Sequence, residues 1–80
     1  MTLAEMLLTA QARRWALSGY ARQLRESAPL TQQEVADLCK VTQAAVAHWE
    51  NGRRTPSGRP ALRYAKLLAG LDAASQPVAS

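Results

Sequence analysis

The sequence predicts an all-α protein: a compact bundle of about five short helices, the first of them an addition at the N-terminus. Three observations carry that prediction. The 80-residue chain is rich in the helix formers Ala, Leu, Arg and Gln, while Ile and Phe are absent and Val occurs only four times. Four prolines and four glycines cut it into short segments. Thr2-Leu3-Ala4-Glu5 and Thr31-Gln32-Gln33-Glu34 both have the capping-box pattern. In that pattern the Thr oxygen accepts from the third helical N–H and the Glu reaches back to the first free amide.

The elements follow in order. A first helix is expected over residues 3–17, with Leu3, Met6, Leu7, Ala10, Arg14 and Leu17 at helical spacing. Ser18-Gly19 reads as a break, with Ser18 placed to cap a second helix. On that helix Tyr20, Ala21, Leu24 and Ala28 share one face before Pro29 ends it. Thr31 opens a third helix whose inner face is Val35, Ala36, Leu38 and Cys39. Thr42 caps a fourth, running to Asn51, with Gly52 closing it in a left-handed conformation. Arg53 to Ser57 is a loop. A fifth helix begins at Gly58, tolerates Pro60 in its first turn, and turns Ala61, Leu62, Tyr64, Ala65, Leu68 and Leu71 inward. AASQPVAS after Asp72 reads as a frayed tail. At this length the chain is one domain: an added helix at 3–17, a core at 19–71 and a tail at 73–80.

Charge narrows the partners. Ten Lys and Arg against six acids give +4, and all ten positive charges but only four acids lie between Arg13 and Lys66. That concentration suits a polyanion, although charge alone also serves solubility. Arg13 and Arg14 fit a solvated helix face better than a nucleic-acid contact. The single cysteine, Cys39, excludes an internal disulfide; it reads as a buried small apolar residue in a reducing cytoplasm. With one Cys and one His the ligands of a zinc site are missing, so neither metal nor cofactor is expected. No signal peptide or membrane span is evident. No nucleophile motif, His–carboxylate pair or Gly-rich phosphate loop points to an enzyme.

The third and fourth helices are joined by only Lys40, Val41 and Thr42. So short a connection forces a steep crossing, the geometry of a helix-turn-helix. Ala36 is the small residue that lets the two helices approach. Val46 and Trp49, three apart, face the core with Ala45 beside them. Gln43, Ala44, Ala47, His48 and Asn51 are then left on the opposite face, small and polar, as a helix entering a major groove requires.

From Leu24 to Leu71 the chain resembles the helix-turn-helix family of the phage Cro and C1 repressors, the XRE family. The matching residues are Leu24-Arg25, TQQEVA at 31–36, VTQAAV at 41–46, WENG at 49–52 and RRTP at 53–56. PSGRPALRYAKLLAGL is similar to the C-terminal part of small bacterial regulators and of certain antitoxins with this fold. The resemblance implies a lambda-repressor-like bundle that binds operator DNA as a dimer. By position it implies that Gln32 bonds a phosphate, Gln43 reads an adenine edge and Ala44 packs on a thymine methyl. It further implies that Ala47 offers a second methyl group and His48 makes another base contact. Lys40, Thr42, Asn51, Arg53 and Arg54 would hold the DNA backbone. Glu50 would pair with Arg25, so that these two, with Ala36, Val46 and Trp49, support the recognition helix from behind. Two positions depart from the family. Lys40 stands where a turn glycine is usual, and Pro29 where a glycine commonly ends the preceding helix.

The expected function is therefore a sequence-specific regulator of transcription, a repressor binding double-stranded DNA. Few base-reading side chains on one helix imply a homodimer on an inverted repeat, with recognition helices about 34 Å apart. Leu3, Met6 and Leu7 on the first helix, or Leu67 and Leu71 on the last, are the candidates for its interface. The alternative is an antitoxin that regulates its own expression through the same domain and binds a toxin with the added helix or the tail.

Overall fold

A computed structural model of the chain describes residues 1–75, and these form five helices and no strand. They are α1 (Leu3–Ser18), α2 (Tyr20–Ser27), α3 (Gln32–Cys39), α4 (Gln43–Glu50) and α5 (Gly58–Ser75). Both capping boxes form. The Glu5 and Glu34 amides donate to Thr2 and Thr31 Oγ1 at 3.1 and 3.0 Å, and each Glu carboxylate accepts from its Thr amide at 2.9 Å. The Thr2 amide, more than its hydroxyl, holds the Glu5 carboxyl below its usual pKa.

Three boundaries differ from the sequence expectation, the first being the end of α4, which stops at Glu50 with Asn51 as its cap instead of running to Asn51. Gly19, at φ +87°, ends α1 and begins α2, so the left-handed residue does the work expected of Ser18. Ser18 instead donates to the Trp15 carbonyl and accepts from the Tyr20 amide. The last helix continues to Ser75, so 73–75 are helical rather than frayed; 76–80 lie outside the described residues. Ala73 and Ala74 carry it on, alanine being the best helix former.

All five helices contribute to the core, with Ala12, Ala21, Leu24, Val35, Ala36, Cys39, Val46, Trp49, Tyr64, Ala65 and Leu68 buried together. The Trp49 and Tyr64 rings lie 4.7 Å apart, joining α4 to α5. Tyr20 Oη donates to Asp72, tying the start of α2 to the end of α5. Leu38, expected inside, is 58 % exposed, and Ala28 is exposed as well. Leu38 lies on the outer side of α3 because Val35, Ala36 and Cys39 already define the packed stripe.

Helix α1 turns outward the apolar residues that the sequence offered as interface candidates. Its buried residues are Thr9, Ala12 and Ala16, packed toward α5 and α2. Leu3, Met6, Leu7 and Leu17 are 55–74 % exposed. Small side chains thus make the closest approach to the domain, with Leu8 and Trp15 packed on the core at either side of them, while Leu3, Met6, Leu7 and Leu17 face away. The buried Thr9 hydroxyl donates to the Glu5 carbonyl at 2.8 Å, so its burial leaves no orphan donor.

Candidate nucleic-acid interface

The turn between α3 and α4 is a Schellman motif. Val41 N–H donates to the Ala36 carbonyl at 3.0 Å and Lys40 N–H to that of Asp37 at 3.3 Å. Between them Lys40 takes φ +59° and ψ +47°, the left-handed conformation a glycine would adopt without strain. Val41 packs on the core beneath the turn. Arg63 of α5 reaches the Cys39 carbonyl at 3.4 Å, so a further late carbonyl of α3 is satisfied from outside the helix. Burial pushes the Cys39 thiol up to about 11.

Thr42 then starts α4 by accepting from the Ala45 amide at 3.2 Å. The far end of α4 closes on itself. Gly52 is at φ +78°. The Arg53 amide donates to the His48 carbonyl at 2.9 Å and to Asn51 Oδ1 at 3.0 Å. Two left-handed residues, Lys40 and Gly52, therefore bracket the eight-residue helix and fix its length.

Behind α4 lies a connected polar chain. Arg25 Nε donates to Glu50 Oε2 at 2.5 Å and its Nη2 to Oε1 at 3.0 Å, while Nη1 holds the Leu30 carbonyl at 2.9 Å. The side chains of Arg25 and Glu50 are 12 % and 3 % exposed, so this is a buried, bidentate pair. The bond to Glu50 raises the Arg25 pKa against the opposing effect of burial. Gln32 Nε2 adds a third donor to Glu50 at 3.0 Å, and Gln32 Oε1 accepts from Gln43 Nε2 at 2.6 Å. The chain thus runs from the half-buried Arg25 to the exposed first residue of α4.

The sequence-derived residues divide cleanly. Val46, Trp49 and Ala36 are buried, Glu50 pairs with Arg25, and Gln43 and Ala44 are exposed. Ala47 and His48 are half-buried on the same helix. Lys40, Thr42, Asn51, Arg53 and Arg54 are exposed around its two ends. Gln32 is half-buried with both polar atoms already engaged, leaving one amide N–H for an outside partner. Of the interface candidates, Leu3, Met6 and Leu7 are exposed, whereas Leu67 and Leu71 pack against the core.

One positioning residue was not legible. Arg13 of α1 donates from Nε to the Pro56 carbonyl at 2.9 Å, and Pro56 is buried. The loop carrying Arg53 and Arg54 is thereby tied to the added helix. The bond spans 43 residues, and no local pattern encodes it. The Gln32–Gln43 bond did leave a signal: each glutamine is the first residue of a helix in a motif that brings both starts together.

Among the described residues no three His, Cys, Asp or Glu side chains converge, and no helix is long and apolar enough to cross a membrane. A helix-turn-helix family model matches residues 22–72, which leaves α1 outside the match. No curated protein and no solved structure matches the chain.

Proposed function

This chain belongs to the helix-turn-helix family of the Cro/C1 type and is a DNA-binding regulator; from that premise we propose that it is a repressor acting as a homodimer on an inverted repeat. The observation that carries this reading is the polar chain Arg25–Glu50–Gln32–Gln43. It presets the Gln43 amide at the exposed start of α4. One Nε2 hydrogen is held by Gln32, so the other, with Oε1, is left to meet adenine N7 and N6 as a bidentate pair. Ala44 and Ala47 supply methyl contacts to thymine, and His48 reads a further base one turn along.

The DNA backbone is held at both ends of the helix. The remaining Gln32 N–H, the Thr42 hydroxyl and Lys40 act at the start; Asn51, Arg53 and Arg54 act at the end. The partner is double-stranded DNA and the setting is the cytoplasm of a bacterial host. The exposed apolar side of α1 would also serve the second reading, an antitoxin that uses it to hold a toxin.

Two measurements test the proposal. Lys40, Arg53 and Arg54 give about three cationic phosphate contacts per subunit, so log K against log salt should fall with a slope of roughly −5 for a dimer. A slope near zero removes the phosphate contacts. Gln43→Ala should cost about 1–3 kcal/mol on the selected site and little on random duplex. An unchanged ratio between the two would mean that α4 is not the reading helix.

A further inference from the structure

We infer that the outer stripe of α1 pairs antiparallel with the same stripe of a second copy of this chain, across a two-fold axis near Ala10. This deepens the homodimer reading above and rests on it. Leu3, Leu7, Ala10, Arg14 and Leu17 recur at alternating spacings of four and three, with Met6 beside them, which is the seam of a helix that packs on another helix. The seam cannot belong to the domain's own core, because α1 already packs through Thr9, Ala12 and Ala16 on its opposite side. Leu3 is 71 %, Met6 55 %, Leu7 61 % and Leu17 74 % exposed. Together they present on the order of 500 Å² of apolar surface, at the level that marks a functional patch on a monomer. Two such faces bury on the order of 1,000 Å², the area a specific interface must clear.

Charge sets the direction of pairing and the kind of partner. Arg14 is the stripe's one charged residue and is exposed. In a parallel pair it would face its own copy. In an antiparallel pair centred on Ala10, Leu3 meets the partner's Leu17 and Arg14 lies over the partner's Met6, its stem covering apolar surface while the head stays in water. The two guanidinium groups are then about 12 Å apart along the helix, beyond the screening length of roughly 8–10 Å. Ala10 at the crossing lets the backbones approach. The pattern is thus self-complementary, as a two-fold contact requires.

The seam also reaches the DNA-binding side. A Cβ placed on Gly52 would lie 4.0 Å from Leu17 Cδ2, and Arg13, next to the stripe, holds the Pro56 carbonyl. A dimer formed here therefore joins the two Arg53–Arg54 loops through one pair of helices.

Sedimentation of the full chain and of a Met6→Glu, Leu7→Glu double variant tests the surface. Both side chains are exposed, so helix content by circular dichroism should be unchanged. Self-association should weaken about a hundredfold or more, because four carboxylates would have to enter the interface. A monomeric wild-type chain, or a double variant that dimerises as tightly, overturns the inference. Direction is read by mixing Leu3→Cys and Leu17→Cys chains under oxidation; the native Cys39 is buried and stays out of the reaction. The mixed disulfide should dominate, and a preference for Leu3→Cys homodimers overturns the antiparallel pairing. Random-duplex binding by the double variant keeps the two readings apart. It should persist with about half the salt slope of the wild type. Loss of DNA binding in both proteins would count against the DNA reading and leave the sedimentation result standing.

Discussion

Replacing Glu50 by Ala isolates the part of the structure on which α4 depends most. Glu50 accepts three hydrogen bonds, two from Arg25 and one from Gln32, and its side chain is 3 % exposed. The substitution leaves Arg25, whose side chain is 12 % exposed, with the Leu30 carbonyl and no counter-charge from α4. Breaking a buried pair from one side costs about 3–5 kcal/mol. For 80 residues the whole stability is of the order of 4–12 kcal/mol. The variant should therefore lose about a quarter or more of its stability, a drop of at least about 12 °C in Tm at roughly 4–8 °C per kcal/mol. Urea unfolding followed by circular dichroism measures it. The double replacement Arg25→Met, Glu50→Leu removes both charges and should recover most of the loss, since apolar substitutes for a buried pair are commonly neutral or better. At low temperature, where Glu50→Ala still folds, Gln32 is freed from its anchor and Gln43 from its orientation, so the specific-to-random DNA ratio should fall as well. A cost below about 1 kcal/mol for Glu50→Ala would refute the reasoning. So would a double variant as unstable as the single one.

Lys40→Gly should stabilise the fold by about 0.5–1 kcal/mol. Relief of a left-handed side-chain conformation gains about 1–2 kcal/mol and the extra chain entropy of glycine takes back about 0.5–1; an unchanged urea midpoint would show that the turn carries no strain. Tyr64→Phe should be neutral or stabilising by about 1 kcal/mol, because the buried Tyr64 hydroxyl has no hydrogen-bond partner among the described residues; a loss of more than that by the same assay would reveal a bond to the hydroxyl. Stability should decline as pH rises from 9 toward 11. The unfolded Cys39 thiol ionises above its ordinary value of 9 while the folded one, raised to about 11, stays protonated. The slope from this group is at most about 1.4 kcal/mol per pH unit, and urea midpoints across that range should be flatter for Cys39→Ala, the opposite result counting against a buried thiol.

What was legible in the sequence was local or tied to a fixed spacing. Thr2, Thr31 and Thr42 announce helix starts because a cap and its acceptor geometry lie within four residues. Gly52 announces an end for the same reason. The pairing of Arg25 with Glu50 came from the family resemblance, and the geometry agrees with it. The packing side of α1 was not legible. Leu3, Met6, Leu7 and Leu17 dominate the hydropathy pattern, yet the domain buries Thr9, Ala12 and Ala16 most deeply, with Leu8 and Trp15 beside them, because the closest helix approach depends on small volume. Leu38 misled for a related reason: one helix in contact with two neighbours buries a narrow stripe, and a leucine one position off it stays in water. The Arg13–Pro56 bond depends on the tertiary fold alone.

The inward alanines of α1 invert the usual map of mutational tolerance. Ala12 and Ala16 are 1 % and 3 % exposed, so even an added isopropyl group at either has nowhere to go, and overpacking of this kind costs about 1–3 kcal/mol. Leu3, Met6, Leu7 and Leu17 could each become polar with little effect on whether the chain folds. A library selected only for folding would keep the alanines and randomise the leucines. One selected for the dimeric DNA binding proposed above would keep both. The positions that separate the two selections would then outline, without any structure of the assembly, the association surface proposed above.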